Sequence, residues 1–264
     1  MNDITDTLKI FKARFAEIAL ILGLNAMSII SAQMIGPKIE SFNMRLFLFA
    51  SFAAIAAVLA QLLNYGFIKT AQITRQKTQL PHDLIVIGRY YFWPMVIFAL
   101  IFLAASMLLS TVIFSIVHHN HLNQTDMDFT QAAKQFPISY SLAIILPMIL
   151  FAKPLLLIPA IIIGLDCKLL KSFALLKNYR LRDAKNLLIV FAVQIILTAA
   201  MSFLPTETAS HWRYAFLLIP TLTLQLTYIA AAIIAIRFIT PSTFIEPTPA
   251  EVQTENQTQG QEQN

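Results

Sequence analysis

Charge is what this sequence has least of. Its 264 residues include 19 Lys and Arg and 14 Asp and Glu, 12% together, against roughly 25% in an ordinary soluble domain. That is too little to cover a water-facing surface of this size, and it argues against a soluble enzyme, a nucleic-acid-binding module and a disordered chain. Cysteine is almost absent. Cys167 stands alone and cannot close an internal disulfide, so no disulfide scaffold is implied. Glycine occurs six times, with no glycine-rich phosphate loop, and neither a zinc-protease nor a serine-nucleophile motif is present. No Asp or Glu falls in the middle of an apolar run, where ion-coupled carriers commonly place their carboxylate relays.

What the sequence has is apolar length: 57% of residues are hydrophobic and the mean hydropathy is +0.67. A helix needs about 20 residues to cross about 30 Å of hydrocarbon. The uncharged runs predict six transmembrane helices, over about 18–36, 46–68, 92–117, 138–163, 187–204 and 214–236. The runs are continuous and not alternating, which excludes a β-barrel. The first run follows Lys9, Lys12 and Arg14 as a signal peptide would. However, Asp3, Asp6 and Glu17 dilute the positive charge, and the run exceeds the roughly 7–15 residues of a cleaved core, so an uncleaved helix is expected.

Basic residues set the orientation. With the N-terminus inside, segments 1–17, 69–91, 164–186 and the residues from Arg237 hold fourteen of the nineteen. The outer loops hold Lys38, Arg45, Lys134 and Arg213, and Lys153 lies within a run. By the positive-inside rule both termini are expected in the cytoplasm, with 1–17 as a cytoplasmic segment. Tyr90, Tyr91 and Trp93, and then Trp212 and Tyr214, stand where aromatic belts favour headgroups. The +5 net charge and pI near 9.4 thus describe a membrane face and imply no nucleic-acid partner. Beyond residue 239 the composition turns to Pro, Thr, Gln and Asn, with four glutamates and no Lys or Arg. This predicts a disordered acidic tail over 240–264, readable as a partner hook or as a solvated end.

Lys153 is the foremost candidate site residue. In the fourth predicted helix it lies about 15 Å from the inner end, near the midplane, among Pro147, Pro154 and Pro159. Three prolines remove three backbone donors and break or bend the helix. Two readings fit: an anion or lipid-headgroup site in a water-accessible cavity, and a kinked or re-entrant segment whose ammonium snorkels or bonds freed carbonyls. Asn25, Ser28, Gln33, Gln61, Gln194 and Gln225 are read mainly as interhelical hydrogen bonds. His118, His119 and His121, with Asp126 and Asp128, lack regular ligand spacing and read as a polar loop. No metal and no cofactor is expected.

Segment 164–186 is the most patterned polar stretch. Leu169, Leu170, Phe173, Leu176 and Tyr179 recur at helical spacing, with Lys168, Lys171, Ser172, Lys177 and Arg180 opposite. An interfacial amphipathic helix is predicted between the fourth and fifth spans. Its face of Lys168, Lys171, Ser172, Lys177, Arg180 and Arg182 is directed to anionic lipid phosphates or to a partner.

The run Gly164-Leu-Asp-Cys-Lys-Leu-Leu-Lys-Ser-Phe-Ala-Leu-Leu-Lys-Asn178 resembles the cytoplasmic segment of a bacterial six-helix family. That family comprises the YciC-like inner-membrane proteins and the membrane domain attached to some glycerophosphodiester phosphodiesterases. Pro147 and Pro159 match its proline-containing fourth helix, Asp166 the acidic residue that ends it, and Lys171, Ser172 and Leu176 the helix that follows. Leu63-Asn64-Tyr65-Gly66 and Gly88-Arg89-Tyr90-Tyr91-Phe92 also resemble it. Met148 and Asn178 depart from the glycines more usual there. The resemblance runs from Phe11 to Ile239 and implies a multi-pass protein of the bacterial inner membrane. It lacks the phosphodiesterase catalytic domain, so hydrolase activity is not carried over.

Together these readings predict an all-α, six-span membrane protein without catalytic machinery, acting through anionic-lipid or protein contacts at a basic cytoplasmic face. The alternative is a transporter or permease-like subunit using Lys153 and the proline-broken fourth helix. A membrane-protein partner and a homo-oligomer are both compatible with the composition.

Overall fold

The computed structural model describes residues 3–35, 44–73, 77–117, 137–202 and 212–240. The predicted histidine loop and the tail beyond Thr240 lie outside the described residues. Among the described residues the regular structure is entirely helical, with nine α-helices. They are α1 (Asp3–Ala13), α2 (Phe15–Ile35), α3 (Met44–Ile73), α4 (Pro81–Val117), α5 (Pro137–Leu150), α6 (Ala152–Gly164), α7 (Leu169–Leu176), α8 (Lys185–Ser202) and α9 (Trp212–Ile239).

Four stretches are long and apolar enough to cross a membrane: Phe15–Ala32, Phe47–Ile73, Pro81–Ile113 and Leu218–Ile239. The pair Ser141–Leu150 and Ala152–Gly164 makes a fifth if its halves, bent by 55°, count as one span. Lys185–Ala200 is apolar but shorter. The molecule is therefore a helical protein with four to five candidate spans among the described residues. The expected count of six is not reached by this measure.

Several expected boundaries shift, for one reason. The end of an apolar run marks where lipid contact ends, whereas helical hydrogen bonding continues into polar sequence. Segment 69–91, read as a loop, is largely the end of α3 and the start of α4. At 30 and 37 residues these helices run about 45 and 55 Å, well beyond the hydrocarbon thickness. Segment 1–17 is likewise largely helical. In α1, Thr7 and Ile10 are buried, and the Thr7 hydroxyl donates to the Asp3 carbonyl at 2.7 Å.

Two glycines lock α3 against α4. A Cβ on Gly66 would lie 2.0 Å from the Leu84 carbonyl oxygen, and one on Gly88 would lie 1.8 Å from that of Leu62. The two sites are reciprocal, each glycine meeting the backbone four residues from the other. Only a hydrogen side chain permits backbones this close, as at small-residue contacts between membrane helices. The Ser28 hydroxyl, which donates to the Ala53 carbonyl at 2.9 Å, ties α2 to α3.

The break in the fourth predicted span falls at Phe151, whose N–H still reaches the Pro147 carbonyl at 2.9 Å. Pro154 has no N–H for the Leu150 carbonyl, and its ring crowds that turn. It occupies the first turn of α6, where a proline is tolerated because those donors have no helical partner. Beyond the break α6 becomes the hub of the core. Leu156, Leu157, Ile158, Ala160, Ile161, Ile162 and Ile163 are all buried, packed with Phe67, Ile229, Ile233 and Ile236.

Candidate functional site

Charged and hydrogen-bonding residues gather at one end of the bundle. It is formed by α1, the C-terminal ends of α3, α6 and α9, the N-terminal ends of α4 and α8, and α7. Three polar clasps hold these pieces together.

The first is centred on Arg14, at the junction of α1 and α2, whose side chain is 0% exposed. Its Nε donates to Glu17 Oε1 at 2.9 Å, one Nη pairs with Glu17 Oε2, and the same Nη donates to Thr70 Oγ1 of α3 at 2.8 Å. Glu17 Oε1 also accepts the Gln79 backbone N–H at 3.0 Å. The guanidinium stacks over Phe67, 4.5 Å from the ring centroid. The buried charge of Arg14 is neutralised by a carboxylate one turn away. This joins α1, α2 and α3 to the segment leading into α4.

The second clasp is built on the end of α6. Asp166 adopts a left-handed backbone, φ 48°, the position that usually closes a helix with glycine and that Asp tolerates better than most residues. The Cys167 N–H reaches back to the Ile162 carbonyl at 3.3 Å. Lys69 Nζ donates to Asp166 Oδ2 at 2.7 Å and to the Ile163 carbonyl at 3.0 Å, while the Tyr91 hydroxyl donates to Asp166 Oδ1. One acidic residue thereby ties α3, α4 and α6. Tyr91, expected in an interfacial belt, is buried in this clasp, whereas Tyr90 and Trp93 are exposed.

The third clasp closes the chain ends. Arg237 Nη1 of α9 pairs with Asp6 at 3.4 Å, and Asn186 of α8 donates to Asp3 at 2.9 Å.

α7 lies on this polar end. Leu169, Leu175 and Leu176 pack on the core, and Ser172 is 0% exposed, with its hydroxyl donating to the Leu169 carbonyl at 2.6 Å. This corrects the expected face. Ser172 points into the protein, and its small size lets the helix seat closely. Leu170, read as part of the apolar face, is 86% exposed. The outward surface therefore combines Leu170 and part of Phe173 with exposed Lys168, Lys171, Lys177 and Arg180. None of these four cations makes an ion pair or side-chain hydrogen bond among the described residues. Exposed Arg182 is paired with Asp183 at 3.7 Å. An apolar side chain flanked by long cationic ones suits a headgroup boundary, where the chain enters the apolar layer and the ammonium groups remain outside.

Lys153 sits two residues past the break, half-buried, without an ion pair or hydrogen bond to the described residues. It stands eleven residues before Gly164, about 16 Å along the helix. Pro147 is buried, and Pro154 and Pro159 are half-buried beside it. The structure joins this region to α7 through a run of rings. Phe173 lies 6.5 Å from Phe98, Phe98 lies 6.4 Å from Phe102, and Phe102 lies 6.0 Å from Phe151.

Among the residues read as interhelical hydrogen bonds, Ser28 makes one, whereas the Asn25 amide donates within its own helix to the Ile21 carbonyl at 3.1 Å. Gln194 is fully buried, and among the described residues neither of its amide atoms has a hydrogen-bond partner. Burial pushes the Cys167 thiol pKa up, with the positive charge of Lys171 opposing it. Three clasp residues could be found in sequence only as charges at or near the edges of apolar runs: Lys69, Asp166, and Arg14 just before Glu17. Their pairing over as many as 97 positions leaves no local signal. No family model, no curated protein and no solved structure matches this chain.

Proposed function

We propose that the chain is a non-enzymatic, multi-pass protein of the bacterial inner membrane, related to the YciC-like proteins, which acts by binding anionic phospholipid at a basic cytoplasmic face. In this reading there are six spans, with α5 and α6 together as the fourth and α8 as the fifth, and both termini are cytoplasmic. The observation that carries it is the outward surface of α7. Leu170 is almost fully exposed, and the exposed cations Lys168, Lys171, Lys177 and Arg180, unpaired among the described residues, lie in the same helix and on its two flanks. Each such cation near an anionic leaflet contributes about 1 kcal/mol, while the burial of one leucine adds about 1.5–3 kcal/mol. Native mass spectrometry of gently extracted protein tests the reading. Bound phosphatidylglycerol or cardiolipin is expected on the wild type and largely lost when Lys168, Lys171, Lys177 and Arg180 are changed together to Gln. Equal lipid retention by both proteins rejects it.

A second reading, a transporter or permease-like subunit, is supported by Lys153, a cation with no partner among the described residues, beside a 55° break. Under this reading Lys153→Ala abolishes flux of an anionic solute in proteoliposomes while the melting profile is retained. Flux unchanged by the substitution counts against it.

A further inference from the structure

We infer that the acidic tail, residues 241–264, docks on the basic surface of α7 and the turn after it, and that anionic phospholipid displaces it. The inference rests on the reading of that surface as an anion-binding face.

Charge and position both support this occupant. Segment 164–186 carries Lys168, Lys171, Lys177, Arg180, Arg182 and Lys185 against Asp166 and Asp183, and Asp166 is already engaged by Lys69. The tail carries Glu246, Glu251, Glu255 and Glu262 and no Lys or Arg, so four negative charges face a net surplus of four positive ones. The tail also starts beside its target. The Phe238 ring near the end of α9 lies 6.1 Å from that of Tyr179, in the turn between α7 and α8, and Thr240 closes α9 with its N–H on the Ile236 carbonyl at 2.8 Å. Glu246 follows six residues later, within about 20 Å of extended chain, and α7 is only about 12 Å long. A tether this short gives an effective concentration in the millimolar range, enough for weak carboxylate–ammonium pairs to form on a half-aqueous surface.

A tail held this way competes with lipid phosphates for the same four cations, and its grip weakens with salt. The face would then engage the bilayer most strongly where the leaflet is rich in anionic lipid. In zwitterionic lipid the tail would cover it.

Full-length protein in phosphatidylcholine nanodiscs is treated with a water-soluble carbodiimide, which joins a carboxylate to an amine in contact with it, and the products are mapped by mass spectrometry. Amide links from Glu246, Glu251, Glu255 or Glu262 to Lys168, Lys171 or Lys177 are expected. They should fall severalfold in discs containing phosphatidylglycerol. The variant carrying Glu246→Gln, Glu251→Gln, Glu255→Gln and Glu262→Gln alters none of the described helices and should retain severalfold more phosphatidylglycerol. Absence of tail-to-lysine links in phosphatidylcholine overturns the docking, as do links confined to a dimer, which place the tail on a second copy. Links equally abundant in both kinds of disc overturn the competition. If at the same time the wild type retains no anionic lipid, it is the lipid reading of the face that has failed, and the tail contact stands.

Discussion

At the scale of single residues, the buried Arg14–Glu17 pair governs how much this end of the bundle tolerates change. Removing one partner of a buried ion pair leaves an uncompensated charge and costs about 3–5 kcal/mol, whereas replacing both with apolar groups is often close to neutral. Glu17→Gln should therefore lower the melting temperature in detergent markedly, and Arg14→Met with Glu17→Leu should recover most of the loss. A double substitution as harmful as the single one would show that the Thr70 and Phe67 contacts matter more than the charge. Cys167 offers a second measurement. Its thiol titrates above the ordinary 9.0 because burial disfavours the thiolate, with Lys171 opposing. Since the thiolate is the reacting species, alkylation by a small maleimide should be slow at neutral pH. Its rate should still be rising with pH at pH 9, and a plateau below that pH would contradict the assignment. Lys171→Gln should slow it further.

At the scale of elements, the α3–α4 contact predicts a sharp difference between glycines. Gly66→Ala and Gly88→Ala each drive a methyl into backbone within 2.0 Å, where the neighbour has no rotamer to move, so each should cost about 1–3 kcal/mol or more. Gly23 has nothing within 4 Å of the added carbon. Gly23→Ala should thus be neutral or stabilising by up to about 1 kcal/mol through helix propensity. Thermal melts of the three variants in one detergent check this, and equal losses at all three positions would rule out the close crossing. The helices themselves are legible in the sequence because an apolar run of sufficient length has few other folds in lipid. The break near Lys153 is legible too, since proline acts on its own turn. Other features are not. Ser172 shares a helical face with lysines in the sequence, and only packing against the core turns it inward. The closeness of Gly66 to Leu84 depends on how two helices cross. The pairs Arg14–Thr70 and Lys69–Asp166 join residues 56 and 97 positions apart, a range over which charge pattern carries no address.

At the scale of the whole molecule, the proposed orientation is open to direct test. In a Cys167→Ser background, Asn123→Cys should react with a membrane-impermeant maleimide added to spheroplasts, while Lys12→Cys should react only after lysis. Labelling of Lys12→Cys in sealed spheroplasts would invert the topology and move the basic face to the other side of the membrane. The three clasps all lie at the end bearing α1 and α7, whereas along the rest of the described helices apolar packing is joined by single hydrogen bonds such as Ser28 to the Ala53 carbonyl. The last clasp has a consequence in time. Asp6 and Arg237 are 231 residues apart, and at about 5–20 residues per second of synthesis Arg237 emerges roughly 10–45 s after Asp6. Throughout that interval α1 exists without its final anchor, so the fold is sealed by its first helix only once the last helix has been made.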